Sequence, residues 1–68
     1  MKSNVTLLDL LKHGATVEFP NGVYLKGITE EKYIELGIDG TTNSLWYLNE
    51  EGLEKAINSL SYVLSLEE

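Results

Sequence analysis

The sequence predicts an α+β fold: a short N-terminal helix, an antiparallel meander of three or four strands, and a long C-terminal amphipathic helix packed on one face of the sheet. Two observations carry this. Leu53, Ala56, Ile57, Leu60, Val63 and Leu64 recur at helical spacing, with Glu54, Lys55, Asn58, Ser59, Ser61 and Ser65 on the opposite face. From Ala15 to Leu48, by contrast, apolar and polar residues alternate in short runs separated by turn-forming residues.

The first helix opens at Thr6, a capping residue with Asp9 at the third helical position, and Val5 is placed to pack on Leu10 as a hydrophobic staple. Gly14 is suited to end it in the left-handed conformation, and Lys12 and His13 complement the dipole at that end. Two turns do not persist alone, so Leu7, Leu8, Leu10 and Leu11 must be held by tertiary contacts.

Ala15 to Phe19 and Val23 to Ile28 read as two strands around Pro20-Asn21-Gly22. Proline suits the first central position of a type I turn, asparagine the second, and glycine the left-handed position of a G1 bulge. This three-residue loop sets Phe19 opposite Val23, Glu18 opposite Tyr24, Val17 opposite Leu25 and Thr16 opposite Lys26. Thr29 to Glu31 form the next connection, and Lys32 to Asp39 alternates as a third strand; a short helix from Thr29 to Leu36, stopped by Gly37, is the competing reading. Asp39 to Asn43 has the composition of a turn, and Leu45 to Leu48 follows as an aromatic-rich strand.

The closing helix spans Asn49 to Leu66. Asn49 caps it, Glu50 and Glu51 sit at the positive end of its dipole, and Leu48 can staple to Leu53. Gly52 is the discordant residue, costing up to about 1 kcal/mol against alanine and less in the first turn.

The chain has 68 residues, 43% of them hydrophobic and 24% charged, which suits one ordinary globular domain spanning 1–68. A chain this short buries only roughly 60% of its unfolded surface, and no cysteine is present to staple it. Eleven acidic residues against five basic ones leave a net charge of −6, which argues against binding nucleic-acid phosphates or an anionic membrane and fits a basic partner. Solubility alone is an equal explanation of the acidity. Lacking cysteine, a signal-peptide pattern and a membrane span, the chain is expected to be cytoplasmic.

No catalytic, cofactor or metal site is expected, and the chain is read as a non-enzyme. His13 is the only histidine, so neither a histidine-based triad nor a His-paired metal site can be built within one chain. Asp39 to Asn43 lacks the alternating acids and terminal glutamate of a calcium loop, and the glycines lack phosphate-loop spacing.

What stands out is the side of the sheet turned away from the helices. With Val17, Phe19, Val23, Leu25, Ile34, Leu36 and Ile38 facing the helices, Tyr24 and Tyr33 face outward with Glu18, Lys26 and Glu35. If Leu48 turns inward to reach Leu53, Trp46 should also point inward and Leu45 and Tyr47 out; the sequence alone leaves Trp46 open between core and surface. Glu18, Tyr24, Tyr33, Glu35 and Tyr47 are therefore the candidate partner-binding residues, tyrosine being favoured in interfaces. Cross-strand aromatic pairing that merely stabilises the sheet is the alternative. Stacking of single-stranded nucleic acid would also need a positive groove, and Lys26 and Lys32 lie among glutamates.

The opening Leu-Leu-Asp-Leu-Leu-Lys-His-Gly, the strand Thr16 to Phe19, the hairpin and the closing helix resemble in layout the anti-CRISPR inhibitors of Cas9 encoded by prophages, which are also small and acidic. The likeness covers most of the chain as architecture, without a second helix after the last one, and carries over no functional residue. It implies a phage or mobile-element protein that binds and blocks a host nucleic-acid-handling protein. The rival expectation is a self-associating structural or accessory protein, a homodimer formed through a sheet edge or the uncovered face.

Overall fold

A computed structural model describes residues 6–66. The elements run α1 (Leu7–Lys12), β1 (Thr16–Glu18), a single 3-10 turn (Pro20–Gly22), β2 (Val23–Ile28), β3 (Tyr33–Ile38), β4 (Thr41–Tyr47) and α2 (Glu50–Leu66). The four strands form one antiparallel sheet in the order β1-β2-β3-β4. The α+β architecture read from the sequence is the architecture found.

Both ends of α1 are closed by short-range bonds. The Asp9 amide donates to the Thr6 hydroxyl at 3.2 Å, and the Thr6 amide donates back to the Asp9 carboxylate at 3.3 Å, completing the capping box. At the other end Gly14, at φ 85, lets its amide reach the Leu11 carbonyl and the Ala15 amide reach that of Leu10. That pair of bonds is a Schellman motif. Val5, expected to staple the helix, lies outside the described residues, and Leu10 is 41% exposed rather than held by tertiary contacts.

The register between β1 and β2 is the one the three-residue loop dictates, with Val17 opposite Leu25 and Glu18 opposite Tyr24. The turn itself differs. Asn21, expected in the right-handed region, adopts φ 68 and ψ 28, so two successive left-handed residues turn the chain before β2. Asparagine tolerates this conformation better than most side chains. Gly22 follows at φ 77, and its carbonyl accepts from the Asp39 amide at 2.9 Å, tying this turn to the end of β3.

Residues 33–38 are strand rather than helix, and the ladder to β2 runs unbroken from Val23–Ile38 to Ile28–Tyr33. β4 is longer than expected. It begins at Thr41 because the turn is only Asp39 and Gly40, at φ 53 and φ 82, the pair of left-handed residues of a type I′ hairpin. Asn43, read as part of a turn, is the extra residue of a bulge: Leu36 pairs with Ser44 but Gly37 with Thr42. Leu48 lies beyond the strand, although its amide still donates to the Lys32 carbonyl at 2.9 Å.

The core lies between the sheet and the helices, with Leu11, Val23, Leu25, Ile34, Leu36, Ala56 and Leu60 buried and Val17, Phe19, Trp46, Leu48 and Leu53 packed around them. Trp46 thus points inward. Ile57, expected on the buried face of α2, is 39% exposed. Asn49 caps α2 by accepting from the Gly52 amide at 2.7 Å. Gly52 is more than tolerated: a Cβ there would stand 1.9 Å from the Tyr47 carbonyl oxygen, so the helix start can cross the end of β4 only with glycine at this position. Gly27 plays the same part under α1, where a Cβ would meet the Leu11 carbonyl oxygen at 1.7 Å.

Candidate protein-binding face

The pleat sends alternate side chains to the face that no helix covers, and the strand registers align them in three rows. Ile28, Tyr33 and Tyr47 make one row, Thr16, Lys26, Glu35 and Leu45 the next, and Glu18, Tyr24, Gly37 and Thr42 the third. The five residues expected to share a face, Glu18, Tyr24, Tyr33, Glu35 and Tyr47, therefore do so.

Two side-chain assemblies give this face its shape. Tyr33 and Tyr47, directly opposite on β3 and β4, stack with ring centroids 5.7 Å apart and planes at 24°. Tyr33 is half-buried beneath this stack while Tyr47 is 68% exposed. In the third row Tyr24 lies over Gly37, whose missing side chain leaves room for the ring. Its hydroxyl donates to Glu35 Oε2 at 2.9 Å, and the Thr42 hydroxyl donates to the same oxygen at 2.6 Å.

That network tunes Tyr24. Its phenol is held above the ordinary tyrosine range, first because the hydrogen bond to Glu35 favours the protonated form, then through desolvation and the charge on Glu35. Glu18 remains exposed at the β1 edge. Among the described residues the one ion pair is Lys55 to Glu51 at 3.8 Å on α2, so Glu18 and Glu35 form none, although Lys26 stands directly across from Glu35. The face offers two carboxylates, three tyrosines, and Leu45 at 49% exposure.

Thr42 was not legible as part of this site because it was read as turn, yet the Asp39-Gly40 dipeptide signals a two-residue hairpin that would have moved it into β4. From the sequence, Gly37 is an outward strand position or the stop of the competing helix, with no sign of a neighbour that needs its missing side chain. Its place across from Tyr24 is what seats the ring. His13 stands apart from this face: its Nδ1 donates to the Asp9 carbonyl at 2.8 Å, closing the last turn of α1. Among the described residues no group of three or more metal-ligating side chains converges, and no helix is long and apolar enough to cross a membrane.

No protein-family model, curated protein or solved structure matches this chain.

Proposed function

We propose that the chain is a non-enzymatic protein-binding module whose uncovered sheet face docks on a basic, nucleic-acid-handling host protein and blocks it. The observation that supports this reading is the ordered tyrosine and carboxylate surface, in which Tyr33, Tyr47 and Tyr24 are already held by stacking and hydrogen bonds. Side chains fixed before binding lose little entropy when a partner arrives. With a net charge of −6, the chain attracts a basic surface and repels phosphates. The resemblance to anti-CRISPR proteins supports the narrower reading of a phage or mobile-element inhibitor acting in the cytoplasm without a cofactor.

Affinity capture from extract of the source organism tests the reading, using the wild-type chain and a Tyr33→Ala/Tyr47→Ala variant as baits. A basic protein retained by the wild type at low salt, released as salt rises and missed by the variant is the expected result. If the variant captures the same proteins, or nothing basic is retained even at low salt, the face is not the binding surface. Adding the chain to a Cas9 cleavage reaction tests the narrower reading, with loss of cleavage expected.

A further inference from the structure

One long side of this acidic molecule is almost free of charge. β4, from Thr41 to Tyr47, has no charged residue, and neither does α2 from Ala56 to Leu66. The fold brings these two stretches side by side, with a groove between them at either end. At one end, a groove of about 470 Å³ lies between Leu45, Trp46 and Tyr47 of β4 and Glu51, Gly52 and Lys55 of α2. At the other, a groove of about 510 Å³ lies between Ile38 and Asn43 of the sheet and Asn58, Ser59, Tyr62 and Leu66 of α2. Their spacing of three or four residues makes Lys55, Asn58, Ser59, Tyr62 and Leu66 one stripe of the helix beside β4.

β4 is also an open edge of the sheet, seven residues long, with a bulge at Asn43 but neither a charge nor a proline to discourage pairing. The Leu48 amide bonds to Lys32, so in this register Trp46 and Ser44 turn their backbone groups toward β3 while Leu45 turns its own away. Of the six large apolar residues exposed among those described, Leu45, Tyr47, Tyr62 and Leu66 lie along this side.

We propose that this side is a homodimer interface: a second copy adds its β4 antiparallel to β4, Leu45 opposite its counterpart, and lays its α2 along the Tyr62 and Leu66 stripe. Charge selects this occupant. Two copies each carrying −6 repel wherever their acids meet, and among the described residues lining these grooves the charged ones are only Glu51 and Lys55. Among the described residues lining the two grooves, a basic partner finds one carboxylate, Glu51, with Lys55 at 3.8 Å beside it. Edge pairing joins backbone hydrogen bonds to apolar burial, and both halves of the contact are self-complementary about a two-fold axis. Glu18, Tyr24 and Glu35 stay uncovered in such a dimer, whereas Leu45 and Tyr47 belong to both surfaces, so Tyr62→Glu, which leaves the sheet face intact, is the variant that separates the two readings.

Light scattering on the full chain over a micromolar range tests it. The expected mass is twice 7.6 kDa, with association tightened by added salt as screening weakens the repulsion between copies. Leu45→Lys and Tyr62→Glu should each weaken association by at least about ten-fold with an unchanged far-ultraviolet circular dichroism spectrum, whereas Thr16→Lys on the opposite sheet edge should not. In the unsubstituted protein, hydrogen exchange should find the Leu45 amide protected. A monomer at every concentration, a dimer indifferent to both substitutions, or a freely exchanging Leu45 amide would overturn the proposal.

Discussion

The Tyr24 ring lies across Gly37 on the neighbouring strand, so close that a Cβ built on the glycine would stand 2.0 Å from the phenol Cζ. The two residues are direct cross-strand partners, and the empty position on β3 is filled by the side chain from β2. Gly37→Ala should therefore swing the ring out and break its bond to Glu35. Because the flexible end of the tyrosine can move, a loss of about 1–2 kcal/mol is expected rather than unfolding. Urea denaturation measures it, and a change within about 0.5 kcal/mol would mean that the ring is not seated there.

The same contact makes a prediction about pH. The hydrogen bond to Glu35, desolvation and the Glu35 charge raise the Tyr24 pKa above its unfolded value of 10.0. A raised folded pKa means that the stabilising contribution is fully present below the unfolded value and is lost as pH climbs through the folded one. Tyrosinate absorbance should show a tyrosine ionising above the ordinary range. Glu35→Gln should bring it back toward the ordinary range by removing the charge, and an unaltered titration in that variant would show that Glu35 is not the cause.

At Gly52, helix propensity and tertiary geometry point in opposite directions. Propensity alone says alanine should stabilise α2 by up to about 1 kcal/mol. Geometry puts the new methyl 1.9 Å from the Tyr47 carbonyl oxygen, a backbone atom that cannot step aside cheaply. Gly52→Ala is expected to destabilise by about 2 kcal/mol or more, read as a lower thermal midpoint. A raised midpoint would mean that the helix does not cross β4 as described.

Asn49 isolates the cap from the crossing. Its side chain accepts from the Gly52 amide at 2.7 Å, so Asn49→Ala should cost about 1 kcal/mol, while Asn49→Ser should retain most of that stability. Equal losses for alanine and serine would assign the effect to something other than the cap.

Much of the fold was legible because it depends on spacing along the chain. The capping box at Thr6 and Asp9, the Gly14 terminus and the β1–β2 register all follow from residues a few positions apart, whereas Trp46, open between core and surface in the sequence, is settled by packing. The start of β4 was missed through local chemistry too, since Asp39-Gly40 was read as the opening of a longer turn instead of a complete hairpin. The left-handed Asn21 is different in kind: a three-residue loop fixes the pairing on either side of it without dictating which φ values achieve the reversal.

By itself, then, the order of residues determined the two helices and the first hairpin, how the first strands pair, and which side chains share a face, because each depends on periodicity and loop length; it left residues 29–36 open between strand and helix and did not place the start of β4. Only the tertiary structure decided what Gly27, Gly37 and Gly52 are for, that Tyr24 and Thr42 share one oxygen of Glu35, and that the uncharged halves of β4 and α2 lie side by side. Those relationships join atoms far apart in the chain. No local pattern encodes them, since they come into being when packing brings one backbone against another.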